Sequence, residues 1–567
     1  MSEVVTALHR FDLPVAQAFA AERGAKVFLA DPALHARALA AGVTDLVVHT
    51  SSKADVARAA YAQAQRSTQA LSRELGAQLK AIAPKAVEGC WNAHRIAQMF
   101  LTLHGYQRIW QDVLDQHAHV HWHVLLPQQA HAYGTHSFVP GLQLLNQLRE
   151  RGIAFGAFGY DCPGMDAYQL PDLRRISPDT ELLVHLPTCR YDAAHFAAEI
   201  QATGLRAGVL TSQLYDEPLD GLASSGLVSL AEVRECLGPQ RVARVQALEP
   251  ALRAVLVTHL HPHIPQQRFL DLQVQALWEA LEAQALLYLW LEQHFSTRTP
   301  RQLLISNHDA TIHGALTSFA LQGGADVIVV PHSRVHNQTI KLEGARPLCL
   351  HHGLQDGPSL DIGGRVLGAG LLAYPAAPAV RRDARPLRTL GLVLNGISGN
   401  GMCLVNFEHY LGGIRQLLDW ARLVGLAVKL RVRIAETPTV LLVERLGLDM
   451  DELMRLAQGS LLDFARGCDL CVGYDMPTSG LQDLLQQGLP VIQAEVRPLS
   501  WSEWSIVDER VVPRHGLPEL MDRLELLKAS TEEFMRFADR QYRIAQEAVA
   551  GARPLSAWLL RANEPKR

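Results

Sequence analysis

Residues 469–495, DLCVGYDMPTSGLQDLLQQGLPVIQAE, decide how this chain is read. The first seven are an almost unbroken apolar segment between polar ends, the pattern of a strand buried on both faces of a parallel sheet. A turn containing Pro477 follows. Thr478-Ser479-Gly480 then opens an apolar-periodic run that stops at Gly488, which predicts a helix over 478–488. LPVIQAE reads as a second buried strand, so the stretch is a strand, helix and parallel strand in sequence. The first turn of such a helix leaves backbone N–H groups without intrahelical partners. Two hydroxyls beside them make an anion site suited to a phosphate or diphosphate, and plain helix capping is the competing role for Thr478 or Ser479.

Working upstream, TLGLVLN and VKLRVRI are two more buried strands, with helices over 404–424, 439–447 and 451–467, giving a four-stranded α/β unit. Arg431 and Arg433 are two apart and fall on one side of their strand, where guanidinium groups can meet phosphates; a surface ion pair with Glu436 is the alternative for Arg433. Asn395 and Gly396 begin a Gly-rich loop, NGISGNG, between a strand and a helix, a context for a phosphate-facing turn that lacks the spacing of a dinucleotide fingerprint. Residues 374–388, with three prolines and four arginines, read as a linker.

Before the linker, short apolar strands alternate with helices from about residue 119: HVHWHVLLP, GIAFGAFGYD, ELLVHLP, AGVLTS, RQLLISN, DVIVVPHS and PLCLHHG. Residues 267–294 are a Leu- and Ala-rich run without Gly or Pro, one long internal helix. Residues 1–115 read as mostly helical, with two short β-rich segments, KVFLA at 26–30 and DLVVHT at 45–50. The expected fold class is α/β with two Rossmann-like domains, at 116–373 and 389–515, and a helix-rich accessory domain at 1–115. Helices in 516–567 are expected to pack back across the domain seam. Two open α/β sheets joined by a linker imply a cleft at the carboxyl ends of their strands.

Composition narrows the function. At roughly 150 residues per domain, 567 residues make several domains. The 57 acidic residues outnumber 53 basic ones, which argues against nucleic acid as a partner. The longest apolar run, ALLYLWL, falls short of the ~20 residues of a membrane span, which leaves only peripheral membrane association open. The start lacks a secretory pattern and eight scattered cysteines do not form a disulfide framework, so the cytoplasm is the expected compartment.

The Thr478-Ser479-Gly480 helix start, Asp483 three positions on and the strand Gly488-Leu489-Pro490-Val491-Ile492 resemble the carboxyl-terminal domain of GT-B glycosyltransferases, especially bacterial enzymes that build surface polysaccharides. The resemblance is at the level of pattern and covers roughly residues 300–500. It implies transfer of a sugar from a nucleotide sugar, the substrate rather than a cofactor, to a glycan or glycoprotein acceptor, without a metal. It implies that the helix start faces the donor phosphates and that Asp483, in place of the more usual Glu, faces the ribose. An Arg at the strand end, best matched by Arg433, would contact phosphate. His332 in Pro-His-Ser and His352 in His-His-Gly resemble the family's strand-end histidines.

Asp309 follows the strand QLLIS and is the expected base for the acceptor hydroxyl, with His308, His332 and His352 as competitors and helix capping as its structural alternative. Transfer of a polyol phosphate, as in teichoic-acid-type polymerases, and a non-catalytic binding scaffold are the other two readings. The histidines at 117, 119, 121, 123, 131 and 136 lack an accompanying Asp, Glu or Cys ligand and read as a wet or cleft-facing edge rather than a metal site. Cys468 and Cys471 have CxxC spacing without a second pair, and His259, His261 and His263 read as an interdomain loop.

Overall fold

The structure, a computed structural model, describes the whole chain except residues 1, 30–31, 49–53, 86–92, 118, 129–137, 162–167, 188–191, 213–218, 307–311, 332–347, 352–368, 375–384, 395–406, 434–438, 476–477, 479, 497–509 and 562–567. It is an α/β protein whose strands form three larger parallel sheets and one small antiparallel pair. The chain divides into two compact units. One comprises Met1–Gln63, Leu101–Pro163 and Ala376–Ala548; the other comprises Ala64–Phe100, Gly164–Pro375 and Val549–Arg567.

The first unit holds two of the sheets. In the amino-terminal one, β1 (Glu3–Ala7), β2 (Lys26–Leu29), β3 (Leu46–Val48), β4 (His121–Pro127) and β5 (Phe155–Tyr160) are ordered β3-β2-β1-β4-β5, all parallel. This corrects the expected boundary at 115. HVHWHVLLP does not open a new domain: Trp122 pairs with Val4 of β1, and GIAFGAFGYD supplies the fifth strand of the same sheet. The residues before 115 are therefore half of a Rossmann-like sheet, not a helical accessory domain. Trp122, Trp110 and Phe28 interlock edge-on or tilted over its face, and the Trp110 indole N–H donates to the Pro140 carbonyl at 2.7 Å. Burying these large rings supplies much of the apolar area that holds the sheet to the helix Ala93–Gln116.

The second unit contains the short antiparallel pair β6 (Gln169–Pro171) with β10 (Leu227–Ser229). Its main sheet is built from β7 (Leu182–His185), β8 (Ala207–Val209), β9 (Ala223–Ser224), β11 (Gln302–Ser306), β12 (Asp326–Val330), β13 (Leu348–His351) and β14 (Ala369–Leu371). The order is β14-β13-β12-β11-β7-β8-β9, a seven-stranded parallel sheet. β7 and β11 are buried along their whole length, as their unbroken apolar sequences require. The expected long helix is Gln267–His294, and 280–291 of it are buried throughout, which is why that run is almost wholly apolar.

The last helix, Leu555–Arg561, also belongs to this unit. Leu555, Trp558 and Leu559 enter the core of the seven-stranded sheet, and the Gln302 side-chain amide donates to the Leu559 carbonyl at 2.7 Å. The Trp558 ring lies so close to Gly370 that a Cβ there would meet it at 2.7 Å.

The remaining sheet, in the first unit, comprises β15 (Thr389–Leu394), β16 (Ala427–Arg431), β17 (Leu470–Tyr474), β18 (Val491–Glu495) and β19 (Arg514–Gly516), ordered β16-β15-β17-β18-β19. The four expected strands are present and the fifth is the short β19. The helix expected over 451–467 is two, Met450–Gln458 and Leu461–Arg466. Gly459 ends the first, and the Ser460 hydroxyl accepts from the Asp463 N–H to cap the second. Helices Leu517–Ala529 and Thr531–Val549 follow. Gln541 of the latter bonds both backbone groups of Val491 and the Val511 carbonyl, each at 2.7 Å.

Candidate active site

Each large sheet has one place where strand order reverses direction, and in open α/β sheets ligands bind in the crevice outside the carboxyl ends of the strands at that place. In the amino-terminal sheet it lies between β1 and β4. The chain after β1 turns at Leu8 and His9 into the helix Asp12–Arg23, where a nucleotide binder would present free N–H groups. Here the buried Asp12 carboxylate ties down the turn that precedes the helix: Oδ2 accepts from Leu8 N at 2.8 Å and from His9 N at 2.9 Å, and Oδ1 accepts from the Tyr160 hydroxyl at the end of β5.

The carboxyl-terminal sheet reverses between β15 and β17, where Leu394 and Tyr474 are register partners. The next residue, Asp475, is buried and has φ 63°, the only positive φ of a residue other than glycine among the described residues. Such a conformation is costly for an L-residue and persists only where its surroundings enforce it. They do so here: its N–H donates to the Ala494 carbonyl at 3.0 Å, and its carbonyl accepts from the Gln493 side-chain amide at 2.8 Å. Below the turn, the Tyr474 hydroxyl donates to the Tyr410 carbonyl at 2.7 Å, and burial raises its pKa well above the usual tyrosine range.

Thr478 sits in the following turn, with its Oγ1 3.4 Å from the Gly480 N–H. The helix itself is Gly480–Gln486, two turns long, with Asp483 half-buried in its first turn and Gly488 (φ 73°) closing it in the left-handed region. Thr478, Gly480 and Asp483 are thus brought together at the carboxyl end of β17. Arg433 is exposed, two residues past the end of β16.

Arg431 corrects the expectation of a second phosphate contact. Its Nη1 donates to the carbonyls of Leu456 at 2.5 Å and Gly459 at 2.8 Å, closing the carboxyl end of helix Met450–Gln458, and its guanidinium lies 5.9 Å from the centre of the Phe464 ring. Arg431→Ala should cost about 1 kcal/mol of stability, the net worth of such hydrogen bonds, and leave donor affinity unchanged. Arg433→Ala should do the reverse; denaturant titration beside calorimetry separates them.

The seven-stranded sheet reverses between β7 and β11. Two groups that sequence reading passed over stand there: His185, the last residue of β7, and His313, the first of the helix His313–Gly323 that follows β11. Their rings meet edge-to-face, centroids 4.9 Å apart at 86°, and each is 1% exposed. Burial pushes the His185 pKa down to about 3, so the imidazole is neutral at neutral pH, and neither of its nitrogens has a hydrogen-bond partner. Beside them the Ser306 hydroxyl at the end of β11 donates to the Pro187 carbonyl at 3.1 Å. The available signal was a histidine closing an otherwise apolar strand, LLVH.

His308, Asp309, His332, His352, Asn395, Gly396 and Ser479 lie outside the described residues, as do His131, His136 and Glu436. Of the other histidines, His123 bonds Glu3 at 2.9 Å and lies edge-on to His121, while His117 packs edge-on to Phe28 and Trp122. His259 is not in a loop but in the last turn of helix Glu249–Leu260, 3.0 Å from Glu74. Cys468 and Cys471 are not disulfide-bonded and are buried against Gly391. Among the described residues no group of three or more His, Cys, Asp or Glu can hold a metal ion, and no helix is long and apolar enough to cross a membrane.

No family model and no curated protein matches the chain. Solved structures similar to it include the spinosyn rhamnosyltransferase SpnG, with a TM-score of 0.36 and 13% identity over 68% of this chain and all of that one, 100%. The Streptomyces sp. SF2575 glycosyltransferase SsfS6 gives 0.34 and 13% over 68% and 100%. A UDP-N-acetylglucosamine 2-epimerase gives 0.31 and 11% over 65% and 90%.

Proposed function

We propose that the chain is a GT-B glycosyltransferase that moves a sugar from a nucleotide-activated donor to a surface-glycan or glycoprotein acceptor. The observation that carries this reading is the chemistry at the reversal points of two parallel sheets. One presents the enforced left-handed turn at Asp475 followed by Thr478 and a helix start; the other presents the buried His185 and His313 pair. The first suits a phosphorylated donor and the second a neutral acceptor.

In this reading Thr478, Ser479, the helix N–H groups from Gly480 onward and the Arg433 guanidinium hold the donor diphosphate, Asp483 meets the ribose, and Asn395 and Gly396 face the phosphates. Fixed dipoles and positive charge stabilise the nucleotide as it departs from the anomeric carbon, and no metal is needed for that role. Asp309, with His308, His332 and His352 as rivals, takes the proton of the acceptor hydroxyl. The reaction runs in the cytoplasm.

Thermal-shift screening against UDP-, GDP-, dTDP-, CDP- and CMP-linked sugars tests the reading, since a ligand bound only by the folded state raises its stability. Replacing Thr478 and Ser479 together with Ala should weaken the binding donor by about 1–3 kcal/mol, the worth of hydrogen bonds to charged groups, with the melting temperature held. Unchanged affinity in a calorimetric titration removes the motif from the site.

A further inference from the structure

The His185 ring is an unexplained cost in its present surroundings. It is 1% exposed, neither nitrogen is hydrogen-bonded, and Leu182, Leu183 and Val184 before it are wholly apolar and buried. A buried polar group left without a partner is destabilising, and a Leu or Phe at this position would satisfy the sheet without that penalty. The residue sits at the reversal point of the seven-stranded sheet, where ligands of such sheets bind.

We propose that His185, held by the edge of His313, binds one neutral hydroxyl group of the acceptor. A neutral imidazole offers one N–H donor and one lone pair. An alcohol needs the same two partners in the opposite sense. A phosphate or carboxylate would use only the donor and an ammonium only the acceptor, and each would bring an unpaired charge into a buried position. The contact with His313 sets the ring plane, because edge-to-face packing of two aromatic rings is directional. The inference rests on the glycosyl-transfer reading and narrows it: the nucleophile is delivered from a neutral polyol or sugar, and His185 positions it.

The test uses the full-length protein labelled with 13C,15N-histidine, the His185 ring resonances being assigned by their loss in His185→Phe. Neutral monosaccharides, glucose, galactose and N-acetylglucosamine, are titrated in beside inorganic phosphate. The expected result is a saturable shift of the His185 signals with at least one sugar and none with phosphate. This readout needs no turnover, so it stands even if glycosyl transfer fails. Where transfer is measured, His185→Phe should raise the acceptor KM at least tenfold with the donor KM unchanged, and His185→Gln, which keeps a donor and an acceptor, should recover part of it. Should His185→Phe fail to fold, His185→Gln serves for the assignment. No sugar-dependent shift, a shift with phosphate alone, or a more stable His185→Phe with an unaltered acceptor KM overturns the proposal.

Discussion

Asp469→Ala should lower the stability of the first unit by about 3 kcal/mol, enough to move the urea midpoint clearly. The carboxylate is buried at the point where β15 begins. Its Oδ2 accepts from the backbone N–H of Arg388 at 3.0 Å and of Thr389 at 2.8 Å, and its Oδ1 lies 2.7 Å from Arg385 Nε. Hydrogen bonds to charged groups contribute about 1.5–3 kcal/mol, and truncation also takes the acceptor from two part-buried N–H groups. Arg385 is half exposed, so the ion pair itself contributes little. Asp469→Asn keeps an accepting oxygen and should lose roughly half as much. An unmoved midpoint in the alanine variant would mean that the start of β15 is held by its apolar packing alone.

The other large effect concerns turnover. Asp309→Asn should reduce the rate of sugar transfer by about 10²-fold or more, the worth of a positioned general base, with the melting temperature preserved. Asn caps a helix as well as Asp does but cannot accept the proton. Single-turnover kinetics on a saturating donor isolate the chemical step. Near-normal turnover would pass the role to His308, His332 or His352.

How far the fold was legible depended on the range of each contact. The central strands of the seven-stranded and carboxyl-terminal sheets, β7, β11, β12, β15, β17 and β18, are buried almost along their whole length, so their sequences are continuous apolar runs that local reading finds, whereas the short β9, β14 and β19 carry no such run and went unread. The amino-terminal sheet was misread because its evidence is non-local. The β-rich segments KVFLA and DLVVHT are β2 and β3, but β1 interleaves Glu3 and Thr6 with valines, and the pairing of Val4 with Trp122 joins segments that nothing in the local sequence connects. The site divides in the same way. Thr478, Gly480 and Asp483 are neighbours in sequence and were found together. His185 and His313 meet only through the strand order, and Arg431, read as a free cation from its spacing, is committed to carbonyls a helix away.

The seat of the last helix has a consequence for how the protein is made. Trp558 and its neighbours finish a core whose strands were all translated by residue 371, yet 375 and 555 are separated by the whole carboxyl-terminal sheet. At roughly 5–20 residues per second the ribosome needs about 10–40 s to cover that interval. For that time the seven-stranded sheet waits with Gly370 and its surroundings open, lacking buried side chains that are each worth about 1.5–3 kcal/mol. The nascent chain therefore offers chaperones an apolar groove shaped for its own tail, and a protein truncated after residue 548 keeps that groove permanently.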